Sequence, residues 1–123
     1  MLSVSPVVKI YLYGQAADLR RGYDGLASIV QQSMEEDPLS GSLFVFVNKR
    51  ANRIKLLYWD ETGYAMWMKR LEVGTFEIPR VGEGERPSVK ITPSQLSLIL
   101  DGIELSSVRR RKRYQLESAC SSS

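Results

Sequence analysis

The sequence predicts an α+β fold: a single domain with an antiparallel sheet of about four to six strands and two helices. Three observations carry this. Strand-like runs separated by short turns crowd the middle of the chain, between Leu43 and Ile78. Before and after them, apolar residues recur instead at three- or four-residue spacing, the helical period. The length of 123 residues and the apolar content of 43% suit one hydrophobic core.

The elements follow in order. Val7 to Tyr13 is rich in β-branched and aromatic residues and stops at Gly14, as a strand does. Asp18 offers a carboxylate to the free N–H groups of a first helical turn, so a helix is expected from there. Leu19, Tyr23, Leu26, Val30 and Met34 form its apolar stripe. Gly22 and Gly25 each weaken that helix by up to about 1 kcal/mol relative to Ala. They are read here as the place where the sheet backbone comes close. The helix is expected to end near Asp37-Pro38, because the residue before proline avoids helical geometry.

Leu43 to Asn48 and Arg53 to Trp59 read as a hairpin around the polar tetrapeptide Lys49-Arg50-Ala51-Asn52. Period two puts Arg53, Lys55, Leu57 and Trp59 on one face, with Ile54, Leu56 and Tyr58 on the other. After the turn Asp60-Glu61-Thr62-Gly63, Tyr64 to Leu71 is a third strand of this block, and Thr75 to Ile78, beyond Gly74, a fourth. Pro79 to Pro87 is a loop, and Val89 to Ile91 is extended. Thr92, Pro93 and Gln95 then spell a capping box with proline at the first helical position. Leu96, Ile99 and Leu100 form the apolar face of this second helix, and Gly102 stops it. Residues 1–107 make up the folded body, and residues 108–123 a flexible tail, basic and then Ser-rich.

Charge is local rather than uniform. Of 17 basic residues, five are consecutive in Arg109-Arg110-Arg111-Lys112-Arg113, leaving 12 against 14 acidic residues in the rest. A second excess lies between Leu43 and Leu71, where Lys49, Arg50, Arg53, Lys55, Lys69 and Arg70 meet only Asp60 and Glu61.

Several chemistries are excluded outright. Without histidine there is no Ser-His-Asp or Cys-His nucleophile and no His-ligated metal. One cysteine, Cys120, cannot build a thiolate zinc site or an internal disulfide. No phosphate loop ending in Gly-Lys-Ser or Gly-Lys-Thr occurs. Asp18, Asp24 and Asp60 could ligate Mg²⁺ for phosphoryl transfer, but Asp18 has a ready role as a cap and Asp60 in a turn. No cofactor, metal or catalytic activity is therefore expected. No apolar run is long enough to cross a membrane and no export signal opens the chain, so a cytoplasmic location is expected.

Ordered motif blocks say more. Asp18-Leu19-Arg20-Arg21-Gly22-Tyr23-Asp24-Gly25-Leu26 is followed by Asp37-Pro38-Leu39-Ser40-Gly41 and Leu43-Phe44-Val45-Phe46. Then come Arg53-Ile54-Lys55-Leu56-Leu57-Tyr58-Trp59-Asp60, Lys69-Arg70-Leu71-Glu72 and Leu100-Asp101-Gly102-Ile103. In this order, from about Val7 to Tyr114, they resemble the accessory TnpB-type protein of insertion-sequence family sixty-six. The resemblance implies a role in transposition of a bacterial mobile element beside a separate DDE transposase. The serine-rich end lies outside it.

Two readings of function remain open. In the first, the chain binds DNA at the element ends through Lys49, Arg50, Arg53 and Lys55 of the hairpin and through Arg109, Arg110, Arg111, Lys112 and Arg113 of the tail. In the second it is an adaptor whose sheet or first helix docks onto the transposase, with Arg20, Arg21 and Asp24 as the partner-binding residues and the basic tail incidental. Trp59, Trp67, Tyr58 and Tyr64 interleave with the hairpin cations, where they either stack on bases or belong to the core. An edge strand left uncovered would allow a homo-oligomer.

Overall fold

The computed structural model describes residues 8–79 and 87–101. Their elements are β1 (Ile10–Tyr13), α1 (Tyr23–Gln32), β2 (Leu43–Val47), β3 (Arg53–Trp59), β4 (Tyr64–Arg70), β5 (Ser88–Ile91) and α2 (Pro93–Asp101). The five strands form one sheet in the order β4-β3-β2-β1-β5. Every neighbouring pair is antiparallel except β1 and β2, which run parallel with Ile10 opposite Leu43. A parallel pair needs a long crossover, and α1 lies in that connection.

The sheet is covered on both faces. Leu26, Ala27 and Val30 of α1 pack with Phe44, Phe46 and Leu57 on one side. Leu96, Ile99 and Leu100 of α2 pack with Ile10, Leu12, Val45, Ile54 and Leu56 on the other. The central strand β2 is therefore buried at all five positions, which explains why Leu43-Phe44-Val45-Phe46-Val47 is continuously apolar rather than alternating. In β3 the expected alternation holds, with Leu57 in the α1-side core and Ile54 and Leu56 in the α2-side core.

Local chemistry accounts for the element ends. At α2, Gln95 N–H donates to Thr92 Oγ1 (3.1 Å) and Thr92 N–H donates to Gln95 Oε1 (2.8 Å), the reciprocal capping box. At the β2–β3 turn, Asn48 Oδ1 accepts from the backbone N–H groups of Asn52 (3.1 Å) and Arg53 (3.0 Å), fixing the loop between them.

Four expectations require correction. The first helix begins at Tyr23, with Gly22 as its N-cap and no side-chain cap, because Asp18 is spent on a turn. It ends at Gln32, well before Pro38; Glu35 takes a left-handed φ of 59° and turns the chain away. Gly22 and Gly25 do not approach the sheet: a side chain at Gly22 would meet open space, and one at Gly25 would meet the Arg21 side chain at 3.0 Å. Thr75 to Ile78 is not a strand. Phe76 is instead a plug, buried in the α2-side core, with its N–H donated to Ala51 O (2.6 Å).

Candidate nucleic-acid interface

One end of the sheet collects the basic residues, and backbone bonds dictate this. Ala17 N–H donates to Val47 O (2.9 Å), which brings the loop before α1 to the β2–β3 turn. Leu71 N–H donates to Asn52 O (2.8 Å), which brings the end of β4 to the same turn. Lys49, Arg50, Arg53, Arg70 and the Asp18–Arg21 loop thus converge. Lys49, Arg50 and Arg53 are exposed and Lys55 is half-buried.

The loop is built around Asp18. Its Oδ1 accepts from Arg20 N–H (3.0 Å) and its carbonyl from Arg21 N–H (3.1 Å), an Asx turn inside a four-residue turn. The Arg20 guanidinium closes back on the same carboxylate, Nε to Oδ1 at 3.0 Å and Nη2 to Oδ2 at 2.9 Å. That side-chain hydrogen bond, with the backbone N–H of Arg20, lowers the Asp18 pKa from 3.8 to about 2. Reciprocally, the carboxylate raises that of Arg20. Arg20 is thus internally neutralised, although both side chains face water.

Arg21 is placed differently. Its carbonyl accepts from Lys55 Nζ (3.1 Å), which ties the loop to β3. Its side-chain stem runs close to Gly25, where an added Cβ would stand 3.0 Å from the Arg21 Cβ. Asp24 is exposed in the first turn of α1, where a carboxylate complements the helix dipole. Arg20 and Arg21, read from sequence as a separate partner surface, therefore adjoin the hairpin cations.

The β3–β4 register adds Arg70, which the sequence places in the local basic excess but not among the expected DNA-binding residues. Arg53 lies directly opposite Arg70, and Lys55 opposite Met68. With Leu19 these residues line a shallow groove of about 340 Å³, cationic at the rim and apolar on the floor. Met68 is 65% exposed there. The clue lay in the second turn: once Asp60–Gly63 closes the hairpin, counting back from Trp59 and forward from Tyr64 sets Arg70 across from Arg53.

Like charges face each other across this pair, and Glu72 offsets only one of them, at 3.1 Å from Arg70. Among the described residues the ion pairs are Arg70–Glu72 and Asp18–Arg20, and none of Arg21, Lys49, Arg50, Arg53 and Lys55 forms one within that set. Lys69 points to the other face, where its Nζ donates to Leu100 O (2.8 Å) and caps the last turn of α2. The chain therefore leaves α2 at the cationic end.

The aromatics of the hairpin are half-buried. Tyr58 and Trp67 pack on the α2-side core and Tyr64 on the α1-side core. Trp59 meets Tyr64 edge-on, ring centroids 5.1 Å apart. Asp18 and Asp60 serve turns, Asp60 accepting from Thr62 Oγ1 at 3.4 Å. Among the described residues no three acidic or cysteine side chains gather as a metal site would require, and no helix is long and apolar enough to cross a membrane. Arg109 to Arg113 and the boundary after Ser107 lie outside the described residues.

Comparison with known proteins agrees with the motif blocks. A family model described as IS66 Orf2 like protein matches residues 8–110. The chain is 34% identical over 111 residues to the Sinorhizobium fredii protein named uncharacterized protein y4jC, covering 90% of this chain and 92% of that one. It is 34% identical over 104 residues to uncharacterized protein y4hO of the same organism, covering 85% and 88%. No solved structure matches.

Proposed function

The chain belongs to the IS66 Orf2-like family, with an accessory role in transposition, and from that premise we propose that it acts by binding DNA through its cationic sheet end and basic tail. The observation that supports this reading is the convergence of Arg21, Lys49, Arg50, Arg53, Lys55 and Arg70 at one end of the sheet. A fold gains no stability from leaving like charges opposed, as Arg53 and Arg70 are. Such a pair is well explained by an anionic partner that enters between them.

In this reading the basic run Arg109 to Arg113 adds to the same DNA-binding charge. Arg109 follows Asp101 by eight residues, a length that spans at most about 29 Å when extended. Because α2 ends beside Lys69, five further cations are tethered within reach of the groove. Phosphate contacts of this kind release counterions and bind with little preference for sequence. The chain would hold and position DNA while the transposase, a separate protein, does the chemistry.

Binding of a labelled DNA duplex and its single strand by the full chain tests this reading, against a chain truncated after Ser107. Affinity that falls steeply with salt and weakens on truncation supports it. Absence of binding at low salt contradicts it and favours the adaptor reading, in which Arg20, Arg21 and Asp24 meet the transposase directly.

A further inference from the structure

The two edges of the sheet differ. β5 is four residues long, follows Pro87 and carries exposed Lys90 in its middle, features that blunt an edge against pairing. β4 is seven residues long and uncharged from Tyr64 to Met68. Among the described residues no strand pairs with its outer side.

The hairpin bonds show what that side presents. Asp60 N–H donates to Gly63 O (3.0 Å) at one end of the β3–β4 ladder, and Leu71 N–H to Asn52 O (2.8 Å) at the other. Hydrogen-bonded pairs alternate along an antiparallel ladder. Tyr58–Ala65, Leu56–Trp67 and Ile54–Lys69 are therefore the bonded pairs between these limits. The N–H and C=O groups of Tyr64, Met66, Met68 and Arg70 consequently point outward, away from β3.

We propose that β4 pairs antiparallel with β4 of a second copy of this chain, about a two-fold axis at Trp67. The residues of the strand fit this arrangement. Met66 falls opposite Met68 of the second copy and Tyr64 opposite Arg70, each pair exchanging the outward hydrogen bonds that β3 leaves free. Directly opposed residues share a face, so the Arg70 guanidinium meets an aromatic ring, a cation–π pairing.

Trp67 faces Trp67 at the non-hydrogen-bonded centre, where strands approach closest and aromatic pairs gain most. Charge selects the direction. Antiparallel pairing sets Lys69 and Arg70 beside the Asp60-Glu61 turn end of the other copy, whereas parallel pairing would stack cation on cation. The product is a ten-stranded sheet with both cationic grooves on one face. The inference does not depend on DNA binding.

Light scattering on the full chain over a concentration series tests it, beside the variant Met68→Pro. The Met68 N–H points outward, so proline there removes a bond of the dimer and none of the β3–β4 ladder. Expected is a mass about twice 13.9 kDa for the parent and a monomer for Met68→Pro with unchanged circular dichroism. A parent that stays monomeric, as when its own tail covers β4, overturns the proposal. So does a folded Met68→Pro that remains a dimer.

Cross-linking keeps the test decisive if that variant does not fold. In a Cys120→Ser background, Trp67→Cys forms a disulfide between copies while Ala65→Cys does not. Equal cross-linking of both, or none, contradicts the two-fold at Trp67.

Discussion

Arg53 and Arg70 stand directly opposite each other across the β3–β4 ladder, on the face that carries α1. Directly opposed like charges cost roughly 0.2–1 kcal/mol in an antiparallel sheet. Glu72 relieves only Arg70, through an exposed contact of 3.1 Å. Arg53→Gln keeps most of the side-chain stem and removes the repulsion, so it is expected to stabilise the fold by about that amount. The gain should shrink in high salt, where repulsion is already screened. Thermal melts at two salt concentrations check this; a loss of stability would show that Arg53 is bound within the fold itself.

Asp18 carries the loop that holds Arg20 and Arg21. Its pKa of about 2 arises first from the Arg20 side-chain hydrogen bond. A carboxylate whose folded pKa is depressed adds stability above its unfolded value of 3.8 and loses it as pH falls toward 2. Arg20→Ala is expected to return the Asp18 titration toward 3.8, readable by carboxyl NMR. An unchanged titration would mean that backbone N–H groups alone hold the carboxylate.

Glu61 adopts a φ of 80° in the exposed turn that joins β3 to β4. Only glycine enters that region without steric cost. Glu61→Gly is expected to raise stability by roughly 0.5–1 kcal/mol, seen as a higher midpoint in denaturant. A lower midpoint would place the turn in another conformation.

Thr92 begins α2 with both halves of its capping box formed. Thr92→Ala is expected to cost about 1 kcal/mol. Gln95→Ala tests the reciprocal bond, and the double variant should fall short of the sum because the two bonds share one cap. Strict additivity would contradict that coupling.

Much of the fold was legible because its signals are local. The tetrapeptide Lys49-Arg50-Ala51-Asn52 marks the β2–β3 turn, Arg53 to Trp59 matches β3 residue for residue, and Thr92-Pro93-Ser94-Gln95 marks the start of α2. What depends on distant pairing was not legible. The parallel β1–β2 pair and the burial of Phe76 against Ala51 leave no trace in periodicity. Asp18 misled because an Asx turn and a helix N-cap use the same carboxylate chemistry.

The candidate site divides the same way. Lys49, Arg50 and Arg53 announce themselves at a polar turn, whereas Arg70 joins them only through register. Likewise Arg21 joins them through two long-range bonds, Ala17 N–H to Val47 O and Lys55 Nζ to the Arg21 carbonyl.

The proposed DNA binding rests on the sheet end and the tail acting as one phosphate-binding surface. Its most direct test is the salt dependence of DNA binding by the full chain, compared with Arg53→Gln, Arg70→Gln and the chain truncated after Ser107. The logarithm of affinity is expected to fall linearly with the logarithm of salt. Each arginine change should lower the slope by about one, and truncation by several. A slope that none of the three changes alters would contradict it.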